Sequence, residues 1–130
     1  MIVVTAAIIF NKEKDKFLIS QRLEHSHNGL LWEFPGGKVE KFEKPTDCIV
    51  REIKEELNLN IEVEDIFEVT YHRYVEKEIL LLIYKCNYVS GKLEFLVCNN
   101  AKWISINEVD NYQFAEADIP SVKKLIKRIK

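Results

Sequence analysis

The sequence is poor in the residues that punctuate or cross-link chains. Its 130 residues include four glycines, three prolines and three cysteines, which excludes a disulfide-stapled or low-complexity architecture. Cys48, Cys86 and Cys98 are an odd count without C-x-x-C spacing, so they suggest neither a disulfide framework nor a zinc site, and a reducing cytoplasm suits them. No apolar run reaches the roughly 20 residues that a membrane span needs. An excess of one charge is also missing: 19 Lys and Arg against 21 Asp and Glu leave a net charge of −2, with a pI near 6.0. Long nucleic acids want a basic face that displaces counterions, so no such partner is expected. A single nucleotide arriving with a metal ion stays open. There is no repeat and no linker, and residues 1–130 are read as one domain.

What is present alternates between strand and helix signals. MIVVTAAIIF has the apolar character of a leader, but no basic segment precedes it and no small-residue cleavage site follows. It is expected to be a buried strand, joined through the turn NKEKDK to a second strand, FLIS. The polar loop EHSHNG leads to LLWEFPGG, and Pro45 opens a helix at a first-turn position that tolerates it. Ile61 to Tyr74 is strand-rich. ILLLIYKCNY is a strong buried strand ending at Ser90-Gly91, and KLEFLV is expected to pair beside it. Ser105 and Glu108 have capping-box spacing for a short helix. A last helix starts near Ile119-Pro120, with Ile119, Val122, Leu125, Ile126 and Ile129 as its apolar stripe and solvated lysines opposite. Strands before, between and after helices predict a mixed sheet covered by helices.

The helix from Pro45 contains REIKEEL, residues 51–57. At about 100° per residue, Ile49, Ile53, Leu57 and Val50 fall within about 100° of each other and form the core stripe. Glu56, Glu52 and Glu55 line one edge beside it. Glu52 and Glu56 are an i,i+4 like-charge pair, and acids near a helix C-terminus oppose its dipole. A plain solvated acidic face is one reading. The other is a site for a hard divalent cation, which prefers oxygen ligands.

From Gly37 there are five residues to Glu43 and seven more to Arg51, then Glu52, Ile53, Lys54, Glu55, Glu56, Leu57, Asn58 and Leu59. This resembles the Nudix box of the Nudix hydrolases, Gly-x5-Glu-x7-Arg-Glu-aliphatic-x-Glu-Glu-x-Gly-aliphatic. Every fixed position matches except the last glycine, here Asn58. The flank EFPGGKVE and the overall length resemble the MutT-like subgroup. The resemblance implies an α+β fold, an α/β/α sandwich around a mixed sheet, and magnesium- or manganese-dependent hydrolysis of a nucleoside diphosphate derivative. It makes Glu52, Glu55 and Glu56 metal ligands with the Gly36 carbonyl. Arg51 paired with Glu43 would complete the catalytic set, and Glu52 or Glu55 would act as base.

Three positions depart from the family pattern. Asn58 stands where a left-handed glycine ends the helix, and asparagine is the next-best residue there. Lys44 precedes Pro45 where a capping Ser or Thr is common; Asp47 compensates through the dipole. Val97 and Cys98 occupy the place of a Glu-His pair, which leaves the general base open among Glu52, Glu55 and Glu94. Other residues carry two readings each. Arg22 resembles a phosphate-binding arginine or is plain surface. Phe34 and Tyr71 stack on a base or pack in the core. His25, His27 and His72 touch phosphate or are ordinary loop histidines. Asp118, in FAEADIP, matches a base-reading position or caps the last helix.

The resemblance thus implies a MutT-like hydrolase converting nucleoside triphosphates, of CTP/dCTP or 8-oxo-dGTP type, to monophosphate and pyrophosphate. The chain would act as a cytoplasmic monomer or homodimer in nucleotide pool sanitation. Other diphosphate derivatives (nucleotide sugars, dinucleoside polyphosphates) and a catalytically weak nucleotide sensor are the alternatives.

Overall fold

The computed structural model describes residues 1–129. Strands β1 (Ile2–Phe10), β2 (Phe17–Gln21), β3 (Trp32–Glu33) and β4 (Gly36–Lys38) precede helix α1 (Pro45–Leu57). Then come β5 (Asn60–Arg73), β6 (Glu78–Ser90) and β7 (Asn100–Ile104), two short 3-10 turns, and helix α2 (Ile119–Ile129). The strands form one seven-stranded mixed sheet ordered β3-β2-β1-β6-β5, with β4 also on β1 and β7 on β2. Only β1 and β6 run parallel; the other pairs are antiparallel. The expected mixed sheet covered by helices is what the chain forms.

The period-2 pleat of β1 explains how one apolar run serves two cores. Ala7 and Ile9 join Leu18 under the α1 residues Ile49, Ile53 and Leu57. Ala6, Ile8 and Phe10 point the other way, to Phe17, Phe34, Ile83, Phe114 and Leu125, where α2 packs. The sheet is therefore buried on both faces.

Helix α1 ends as its sequence suggests. Asn58 is left-handed (φ 59°), and its amide donates to the Lys54 carbonyl. Lys44 provides no side-chain cap, while Asp47 stands in the first turn. Two stripes are narrower than expected. Val50, at the rim of the α1 stripe, is 39 % exposed, because the helix rests on Ile49, Ile53 and Leu57. Ile119 and Ile129 are exposed at the ends of α2, where fully buried Ser121 sits beside Leu125 instead. The Ser105–Glu108 box is present, the Glu108 carboxylate accepting from the Ser105 amide at 2.9 Å, but it opens a 3-10 turn, Ile106–Asn111.

The expected strand at KLEFLV does not form. β6 already has β1 on one side and β5 on the other, so no edge is left for it. The segment instead straps the C-terminal end of α1: the Glu94 and Leu96 amides donate to the Leu57 and Glu56 carbonyls, both at 3.0 Å. These bonds satisfy carbonyls that a helix end leaves orphaned.

Strand β4, which leads toward α1, is pressed tightly on β1. A Cβ on Gly36 would lie 2.0 Å from the Thr5 carbonyl oxygen, whereas one on Gly37 would meet the Glu52 carboxylate at 2.3 Å. Gly36→Ala is therefore expected to destabilise by about 1–3 kcal/mol, the range for overpacking. Gly37→Ala should cost less, because a side chain swings away and a strand backbone does not. Paired thermal melts check the order.

Candidate active site

Arg51 organises the box. Its Nε and Nη2 donate to the two oxygens of Glu43 at 2.7 and 3.0 Å, a bidentate pair. Nη1 donates to Glu52 at 2.9 Å and to Glu55 at 3.2 Å. The expected Arg51–Glu43 contact is present. Hydrogen bonds from the Arg51 guanidinium and the Glu40 amide hold the Glu43 carboxyl down at about 2. Glu52 lies over Gly37, in space only a glycine leaves.

Glu56 differs from its neighbours. Its Oε2 is buried without a hydrogen-bond partner. Burial first, then the charges of Glu52, Glu33 and Glu55, push its carboxyl up to about 8, and Arg22 partly offsets this. Glu55 is exposed and held toward Arg51. Among the described residues, no three His, Cys, Asp or Glu side chains converge as a ready cation cage, since Arg51 draws Glu52 and Glu55 to itself. The donor set nevertheless fits a hard divalent cation: three carboxylates on one helix edge, with an unpaired buried oxygen among them.

Glu56 lines one wall of a cleft of about 260 Å³, together with Gly36, Gly37, Arg22, Phe34 and Asp118. Arg22 is fixed in the cleft by two bonds, Nη1 to Glu33 at 2.9 Å and Nε to the His27 carbonyl at 2.6 Å. Asp118, also lining the cleft, is 5 % exposed. Burial, reinforced by Glu33, raises its carboxyl well above the ordinary range, and the Phe34 backbone amide and Arg22 counter this. None of its hydrogen bonds reaches the first amides of α2, so the geometry favours a residue facing the cleft over a helix cap. Phe34 belongs to the core and also lines the cleft.

Several expectations are corrected. Tyr71 does not reach the cleft: it pairs with Leu80, whereas the cleft is lined by the alternate residues Ile79 and Leu81, so Tyr71 faces the other side of the sheet. Its hydroxyl donates to Glu78 at 2.6 Å. Tyr74 lines the cleft instead, with His27 and His72 edge-on to its ring at 4.9 and 4.5 Å. His25 is exposed and is not among the residues lining the cleft. Glu94 is exposed on the strap, away from the cleft. Val97 and Cys98 lie beside Glu56 in an adjoining cavity and bring no carboxylate. Sequence reasoning passed over Glu33; the available signal was a lone acid between two aromatics, Trp32 and Phe34.

A mixed sheet between helices, with a glycine loop packed against a glutamate-edged helix, defines the Nudix class of fold. The NUDIX domain pattern matches residues 1–125. CTP pyrophosphohydrolase of Escherichia coli K12 is 38 % identical over 122 residues, 92 % of this chain and 87 % of the relative. An 8-oxo-dGTP diphosphatase of Proteus vulgaris is 35 % identical over 78 residues, 60 % of this chain and 69 % of that one. Among solved structures, the MutT protein of methicillin-resistant Staphylococcus aureus 252 superposes with a TM-score of 0.75 at 41 % identity, covering 98 % of this chain and 96 % of its own. The chain belongs to the Nudix hydrolase family and is MutT-like within it.

The Glu56 environment makes a pH-dependent prediction. Its carboxyl is raised from 4.5 to about 8 in the fold. Between those values the unfolded chain releases a proton that the folded chain keeps, so this group's contribution to stability falls as pH rises. In chelator, Glu56→Gln should raise the melting temperature more at pH 8 than at pH 5. Equal gains at both pH values would refute the burial argument.

Proposed function

We propose that this chain is a divalent-metal-dependent nucleoside triphosphate pyrophosphohydrolase, using Mg²⁺ or Mn²⁺ and releasing a monophosphate and pyrophosphate. Cytosine and 8-oxoguanine triphosphates are the preferred substrates, consistent with a role in sanitising the cytoplasmic nucleotide pool. The observation that carries this reading is the unpaired buried oxygen of Glu56, in a cleft that a buried Asp118 also lines.

Glu52, Glu55 and Glu56, with the Gly36 carbonyl, would hold the cation. When bound, it supplies neutralisation of the phosphate oxygens and acidification of water. The protein residues do the rest. Arg51 and Glu43 keep the glycine loop and α1 in register as positioning residues. Arg22 is already oriented by Glu33 and His27, and presents its guanidinium to the phosphates. Glu52 or Glu55 takes the proton from the attacking water. Phe34 and Tyr74 flank the base, and Asp118 reads its edge.

An ionised Asp118 only accepts hydrogen bonds and suits the cytosine amine or the N–H that oxidation adds to guanine; the flanking carbonyls of thymine would face it unfavourably. Its raised carboxyl makes this discrimination pH-dependent, since a neutral carboxyl also donates. The cytosine-to-thymine ratio of kcat/KM should therefore widen as pH rises. Asp118→Ala should compress the ranking by roughly 1–3 kcal/mol; an unchanged ranking would move base reading elsewhere.

Glu56→Gln leaves the α1 core stripe intact and should lower kcat by at least ~100-fold, about 2.7 kcal/mol of transition-state stabilisation. Near-normal turnover by a well-folded variant would overturn the assignment. A second reading, a nucleotide sensor of weak activity, draws on Val97 and Cys98 standing beside Glu56 without a carboxylate. Tight nucleotide binding without pyrophosphate release across a nucleotide panel would favour it.

A further inference from the structure

A separate cavity, of about 450 Å³, shares no lining residue with the cleft or with the cavity beside Cys98. It lies at the other end of the sheet. The cleft is lined by Ile2, Val4, Ile79 and Leu81, from the first residues of β1 and β6. This cavity takes Tyr88, near the end of β6, and residues of the turn that follows β1. It also opens on the other face. Leu59, Tyr88, Leu93 and Trp103 belong to the core under α1, whereas Ile79 and Leu81 belong to the core under α2. Small-molecule sites have volumes of roughly 300–1,000 Å³, so this one is large enough to hold a ligand. The hydrolysis proposed above makes no use of it.

Its chemistry is that of a ring-and-anion site. The half-buried rings of Tyr88 and Trp103 meet at 87°, with centroids 6.0 Å apart. A planar ring laid on one of them meets the other edge-on, so both favoured aromatic geometries are satisfied together. The Tyr88 hydroxyl donates to the Gly91 carbonyl at 2.7 Å. That bond pins the ring, and little side-chain freedom remains to be lost on binding. Leu59 and Leu93 add apolar surface. Lys12 holds its Nζ 5.7 Å from the centre of the Tyr88 ring, so an anionic substituent on a ring seated in the corner meets a cation. Lys16 and Glu13 also line the cavity, which leaves its charged side chains one positive charge in excess. A monoanion balances that excess; a phosphate dianion exceeds it and faces Glu13.

We propose that this corner is a binding site for a small aromatic carboxylate, separate from the cleft. The ring packs against Tyr88 and Trp103, and the carboxylate pairs with Lys12 and Lys16. The occupant touches Gly91 and Leu93, where the strap that caps α1 begins. The Glu94 and Leu96 amides of that strap hold the Leu57 and Glu56 carbonyls, so the ligand rests on the element that closes the helix carrying Glu56.

The test is calorimetric titration with naphthoate, naphthalenemethanol, cyclohexanecarboxylate and naphthyl phosphate. Naphthoate should bind about fivefold more tightly than the alcohol, the scale of an exposed ion pair. It should bind about fivefold more tightly than cyclohexanecarboxylate, the scale of an aromatic contact. Lys12→Gln should shrink the first preference and Trp103→Leu the second. Lys12 is exposed on a turn, so its variant guards against a Trp103 variant that fails to fold. Preferences that survive Lys12→Gln place the ligand elsewhere and overturn the site, as does the absence of saturable binding by every probe. Naphthyl phosphate binding more tightly than naphthoate, in the part that Lys12→Gln removes, overturns the assignment to a carboxylate.

Discussion

The bidentate pair between Arg51 and Glu43 is the constraint on which the site depends. One guanidinium is shared among Glu43, Glu52 and Glu55, with Glu40 at 3.6 Å. It joins the loop after β4 to α1 and supplies local positive charge to carboxylates that would otherwise repel one another. A lysine would offer a point charge without the fork that spans two carboxylate oxygens. Gly36 and Gly37, in the strand before that loop, are held against β1 by their own ladder and against Glu52 by close packing, so the cleft wall rests on the ladder and the ion pair together.

Glu56 lies beyond the reach of that guanidinium. Its hydrogen-bonding capacity is unmet and its carboxyl is raised to about 8. Such tension is tolerable in a fold when a ligand relieves it. The same end of α1 shows a related economy: the dipole that the glutamates oppose is met by amides of the strap donating to the Glu56 and Leu57 carbonyls. The segment that failed to become a strand thus closes the helix, and its Val97 lines the cavity adjoining Glu56.

Arg22 is the counterpart on the opposite side. Fixed by Glu33 and the loop carbonyl of His27, it moderates both Glu56 and Asp118. The cleft therefore holds the Glu56 carboxylate and the oriented Arg22 guanidinium in one wall system, with Asp118 among its lining residues.

Much of this was legible from residues alone, where the determinants are local. The spacing from Gly37 to Glu56, the stripe of Ile49, Ile53 and Leu57, the left-handed Asn58 and the Ser105–Glu108 box all lie within a few turns of chain. Helical periodicity and capping chemistry act over that distance. The Arg51–Glu43 contact was legible too, though only through the resemblance of the whole box to a known family. The tertiary structure decided the rest. Tyr71 and Tyr74 are alike in composition and context, yet strand register turns one away from the cleft while the other lines it. KLEFLV has strand propensity, but pairing needs a free neighbour, and both edges of β6 are taken. Arg22 and Glu33 meet only because β2 and β3 pair, and Asp118 is buried only because α2 returns to the sheet. Register, edge availability and burial depend on residues distant in the chain, so a local pattern does not contain them.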